Sequence, residues 1–159
     1  MQGGGYIVDC EGFILYLHEE NNTDGLERKR TLCDLRDYKF FCFHGRPAYC
    51  QVISDRSTEE KIDFFDMEWK HQEFTGLALP KNPFYNISIP IPIPKTFELM
   101  KASAEMLSKG MKFIRIDFYE VNQKMYFGEL TFYPASGFGE FSPSGWNITL
   151  GDLLELNKE

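Results

Sequence analysis

Arg115, Asp117, Glu129 and Thr131 lie within one stretch, FIRIDFYEVNQKMYFGELTFYP, whose other residues are largely aromatic and β-branched. The pattern predicts strands over about 112–121 and 125–132, with Asn122, Gln123 and Lys124 as the turn. Successive strand side chains point to opposite faces, so Phe113, Arg115, Asp117 and Tyr119 share one face while Ile114, Ile116 and Phe118 share the other. On the second strand Phe127, Glu129 and Thr131 are expected to share a face, and cross-strand pairing then sets Glu129 beside Arg115 and Asp117. Two chemistries suit this grouping. One is an ion pair of Arg115 with the carboxylates on a solvated strand face. The other is a divalent metal site: a cation neutralises like-charged carboxylates held close together, hard oxygen donors suit magnesium, and an arginine beside the metal points to a phosphate.

The surrounding elements are legible in outline. DYKFFCF and AYCQVIS are aromatic and β-branched runs separated by HGRP, which predicts a hairpin in which Gly45 takes a positive φ and Pro47 starts the next segment. KIDFFDMEWKHQEF reads as further short strands, and the N-terminal part holds two short apolar runs suited to a hairpin. Ile89 to Pro94, IPIPIP, must be extended, because proline fixes φ and pushes the residue before it to β or PPII. In KTFELMKASAEMLSKG the residues Phe97, Met100, Ala104 and Leu107 recur at helical spacing and Gly110 closes the run, predicting one helix whose stripe packs on the sheet. GDLLELNKE adds at most a short terminal turn. The fold class expected is α+β, a mostly antiparallel sheet with one main packed helix.

A chain of 159 residues, 43% apolar and 16% aromatic, forms one modest domain with a real core. Its net charge of -7 argues against nucleic acid or an anionic membrane surface as a partner, although a local basic pocket for phosphate is compatible with it. No apolar run approaches the roughly 20 residues of a membrane helix and no secretory leader pattern is present, so a cytoplasmic location is expected. Cys10, Cys33, Cys42 and Cys50 lack paired metal spacing and are read as buried free thiols. Trp69 and Trp146 are read as core or loop-packing residues, His44 as a turn or solvent-exposed residue, and His18 and His71 have no evident partner.

The run RID, a short turn and then FGELTFYPASG resembles the end of the catalytic core of ATP-grasp ligases, in which an R-x-D strand precedes an E-x-N strand. A narrower resemblance runs through DYKFFCFHGRP, QVISDR, FFDMEW, FIRIDFY, YFGELTFYPASGF and LGDLLEL, in that order, and is to the TupA-like ATP-grasp family. It divides the chain into a poorly matched segment, 1–33, and an ATP-grasp-like C-terminal catalytic subdomain, 34–159.

The resemblance implies ATP and Mg2+ as cofactors, Arg115 as the catalytic residue facing the transferring γ-phosphate, and Asp117, Glu129 and Thr131 as metal ligands. Thr131 stands where the family pattern has asparagine. Lys39 and Arg56 are candidates for phosphate or acidic-substrate contacts, set against roles as surface cations or ion-pair partners, and Asp37 stays open. The implied reaction is activation of a carboxylate as an acyl phosphate for ligation, the carboxylate belonging to a precursor of a cell-surface polymer such as teichuronopeptide. The N-terminal ATP-grasp portion with its phosphate-covering glycine loop has no adequate counterpart here. MQGGGYIVD resembles only the end of that loop, and Gly3 to Gly5 read more readily as a flexible terminus. A second chain supplying the missing portion is one expectation. Two alternatives stand beside it: an inactive remnant that binds nucleotide or protein, and, less supported because no D-x-D motif is present, a glycosyltransferase.

Overall fold

The computed structural model describes residues 35–54, 60–77 and 90–155, together with the backbone of two N-terminal strands, β1 (Gly5–Val8) and β2 (Ile14–Leu17). These two pair antiparallel, as the apolar runs predict. The main body is a six-stranded sheet built from β3 (Asp37–Phe43), β4 (Arg46–Ser54), β5 (Lys61–Asp66), β6 (His71–Gln72), β8 (Phe113–Val121) and β9 (Lys124–Thr131). Its order is β6-β5-β4-β3-β8-β9, and every neighbouring pair is antiparallel. A second small pair joins β7 (Thr75–Gly76) to β10 (Phe141–Ser142).

Tight turns set the register. His44 and Gly45 have φ of 48° and 77°, and Asn122 and Gln123 have φ of 51° and 61°, so both hairpins close through two left-handed residues whose twist matches that of the strands. Lys124 therefore opens β9 instead of belonging to the turn as predicted.

Helix α1 (Phe97–Ser108) lies across β3, β4 and β8. Its start is tied to β8 by Glu120, whose Oε2 accepts both the Thr96 N–H and the Thr96 hydroxyl at 2.7 Å, setting a carboxylate at the positive end of the helix. The predicted stripe holds for Phe97, Met100 and Ala104 but not for Leu107, which is 42% exposed while Ser108 is buried. After Ala104 both the i+3 and the i+4 residue lie near the stripe, and it is the i+4 residue, Ser108, that is buried, at the end of the helix beside which the Gly45 backbone of the β3–β4 hairpin lies. A second helix, α2 (Gly145–Asp152), lies mostly ahead of the predicted terminal turn, because Trp146 and Leu150, one helical turn apart, both face the core.

The sheet is covered on both faces. Tyr38, Phe40, Cys42, Val52, Ile114, Ile116 and Phe118 pack under α1, joined by Trp69, whose ring stacks on Phe65 at 4.4 Å and whose indole N–H donates to the Ile91 carbonyl at 3.0 Å. Residues 90–94 run without helix or strand, and Ile91 is buried there. On the other face Phe41, Phe64 and Phe74 form a second core with Leu150, and Trp146 stacks on Phe74 at 4.0 Å. Cys42 and Cys50 are buried free thiols; Cys10 and Cys33 lie outside the described residues.

Candidate functional site

The face of the sheet opposite α1 is apolar at one end and charged at the other. Alternation along β3 and β8 puts Asp37, Lys39 and Phe41 on it together with Arg115, Asp117 and Tyr119, and the register sets Lys39 opposite Asp117. Asp117 is 1% exposed and each of its oxygens accepts from a cation. Oδ1 accepts from Arg115 Nε at 2.8 Å, and Oδ2 accepts from Arg115 Nη2 at 2.7 Å and from Lys39 Nζ at 2.6 Å. Lys39 Nζ also lies 2.8 Å from Asp37 Oδ2. The lysine is thus a buried counter-ion between two carboxylates and not the surface cation that was one of its readings.

Glu129 reaches the same arginine from β9, its Oε1 accepting from Nη2 at 2.7 Å, and Thr131 Oγ1 lies 3.0 Å from both that nitrogen and that carboxylate oxygen. A β-bulge makes this meeting possible. Ile116 faces Leu130 but Phe118 faces Phe127, so Gly128 and Glu129 together oppose Asp117. Phe127 is thereby turned to the α1 side, where its ring lies 6.3 Å from that of Phe118, and it does not share a face with Glu129 and Thr131 as simple alternation predicts. Gly128 is required at the bulge: a Cβ there would stand 2.9 Å from the Tyr119 ring and 3.0 Å from the Asp117 carbonyl oxygen.

Burial pulls the Arg115 guanidinium down, but the charge and hydrogen bonds of Asp117, with Glu129 and Asp37 behind them, outweigh it and hold it above its ordinary value. It is a permanent cation. Among the described residues, Nη1 donates to no protein group. Three carboxylates among the described residues, Asp37, Asp117 and Glu129, surround Lys39 and Arg115. Among the described residues no group of three or more His, Cys, Asp or Glu is placed to hold a metal on its own. Magnesium is usually held by one or two carboxylates with phosphate and water completing its shell. Two acids and a hydroxyl match that donor set, with Glu129, whose side chain is 28% exposed, as the more accessible acid.

Arg56 and His18 lie outside the described residues. His71 does have a partner: its Nε2 lies 2.7 Å from Oδ1 of the fully buried Asp63, on the α1 side of the sheet and away from the cluster. The D-x-K spacing of Asp37 and Lys39 and a glycine inside a strand pattern were the available signals for the buried lysine and the bulge.

The α+β fold with its mostly antiparallel sheet, bearing R-x-D and E-x-T on adjacent strands, is consistent with an ATP-grasp-like domain. The family model described as TupA-like ATPgrasp matches residues 17–155, and the chain belongs to that family. Neither the curated proteins nor the solved structures gave a match. No helix among the described residues is long and apolar enough to cross a membrane.

Proposed function

We propose that the cluster binds Mg-ATP and activates a carboxylate for ligation. The observation that carries this reading is the convergence of Arg115, Asp117, Glu129 and Thr131, brought together by the bulge at Gly128 on a chain of this family. In the reaction a carboxylate oxygen attacks the γ-phosphorus, the bond to the ADP oxygen breaks, and an amine then displaces phosphate from the acyl carbon, its nitrogen losing a proton. Arg115 is the catalytic residue, Nη1 facing the phosphoryl oxygens while Nε and Nη2 stay locked to the acids, so its charge is pre-oriented. Glu129, Asp117 and Thr131 would hold magnesium, which supplies charge neutralisation across the phosphates. Lys39, buried between Asp37 and Asp117, holds Asp117 in place; the direct phosphate contact is proposed for Arg56. The wider context expected of the family, a cytoplasmic enzyme acting on a carboxylate-bearing cell-surface polymer precursor, belongs to this proposal.

One observation favours a second reading, a nucleotide- or protein-binding module without catalysis: both Asp117 oxygens are already engaged by cations. Calorimetric titration of Mg-ATP into the wild type, Asp117→Asn, Glu129→Gln and the distant control Glu140→Gln tests the metal ligands, and carboxylate-dependent release of ADP by the wild type separates ligation from binding alone. The ligase reading expects magnesium-dependent binding that weakens in both site variants and survives in the control. A magnesium response retained in both site variants would reject these ligands.

A further inference from the structure

Beside Arg115 the same sheet face turns apolar. Phe41 is the cross-strand partner of Arg115, and Phe113 precedes it by two residues on β8, so its neighbours on that side are one phenylalanine across and one along the strand. These two rings contribute to a cavity of about 300 Å³, which is also lined by Leu150 and Gly151 of α2 and by Pro134 of the turn that follows Thr131. Asn147 is the one polar side chain among the described lining residues, and its Oδ1 already accepts the Phe141 N–H at 2.9 Å. A cavity at the small end of the ligand range, apolar on its walls and with Arg115 as the sheet neighbour of two of its lining residues, suits a ligand with a hydrocarbon body and an anionic end. A sugar ring would lose its hydrogen bonds there.

We propose that this cavity seats the apolar body of the carboxylate substrate, an aryl or branched-alkyl acid, and that its carboxylate meets Arg115. The inference rests on the carboxylate-activating reading above but concerns only how the acid is recognised.

The test uses the full chain without nucleotide and saturation-transfer NMR with four probes: 3-phenylpropionate, its amide, glucuronate and adenosine. The acid should bind, the amide about tenfold more weakly through loss of the charge-assisted contact, and glucuronate not at all. Gly151 lines the cavity and a Cβ there meets nothing within 4 Å, so Gly151→Leu should fold and abolish the acid's signal; Gly145→Leu, on the same helix, equally open and outside the cavity, should retain it. An acid that does not bind, an amide equal to the acid, glucuronate binding, or an unchanged signal in folded Gly151→Leu would overturn the proposal. Adenosine binding that disappears in Gly151→Leu would overturn it too, marking a nucleobase pocket. The acid and amide comparison needs no variant, and failure of Mg-ATP to bind would sink the nucleotide reading while leaving these results intact.

Discussion

Arg115 and Asp117, two residues apart on one strand, hold each other through two parallel contacts, Nε to Oδ1 at 2.8 Å and Nη2 to Oδ2 at 2.7 Å. The planar guanidinium matches the carboxylate, so the pair fixes direction as well as charge. Lys39 caps the same carboxylate from the next strand. Asp117 is therefore an anchor for two cations, and most consequences of altering the site follow from that.

Asp117→Asn leaves Lys39 and Arg115 short of a buried counter-charge and should cost about 3–5 kcal/mol. Glu129→Gln, at a more exposed position, should cost no more than about 1 kcal/mol. Urea unfolding of both variants checks the contrast; equal, small losses would show that Asp117 is not the anchor.

Gly128→Ala forces a methyl group against the Tyr119 ring and the Asp117 carbonyl, so the bulge must open. A loss of about 1–3 kcal/mol is expected, together with weaker Mg-ATP binding, since Glu129 can no longer reach Arg115. A melting temperature equal to wild type would mean that the strand accommodates a Cβ at the bulge.

On α1, Leu107→Asp should leave the melting temperature nearly unchanged, whereas Ala104→Asp buries a charge under the sheet and should unfold the protein. Circular-dichroism melts of the two variants test which side of the helix faces the core. Unfolding of Leu107→Asp would contradict the packing described here.

Burial pushes the Cys42 thiol from an ordinary value near 9 up to about 12, and burial likewise pushes Tyr38 from near 10 to about 12 against the opposing charge of Arg36. Both groups hold their protons more tightly when folded. Their contribution is fully present below the unfolded values and is lost as pH rises toward 12, because the unfolded chain ionises first. Urea midpoints should therefore not change on account of these groups up to about pH 8 and should fall from pH 9 upward, less steeply in Cys42→Ala. A midpoint that holds to pH 11 would place both groups in contact with water.

The residue pattern by itself determined the strand pair carrying Arg115, Asp117, Glu129 and Thr131, the β3–β4 hairpin and the helix at Phe97, because periods of 2 and 3.6 and the turn residues are local properties of the chain. It also carried the family resemblance. Other features depended on groups far apart in sequence. Lys39 became a buried counter-ion only when β3 paired with β8, 78 residues away, and set it against Asp117. Phe127 lies on the opposite face from Glu129 and Thr131 because one extra residue at the Gly128 bulge shifts the alternation between the two sides of it, and alternation cannot register that shift without a partner strand. Ser108, and not Leu107, is the buried residue at the end of α1, a choice between the i+3 and i+4 positions that helical spacing leaves open. Sequence specified which residues are able to carry charge or pack; tertiary pairing decided which of them meet, since Coulomb and packing energies depend on distances in space that spacing along the chain does not encode.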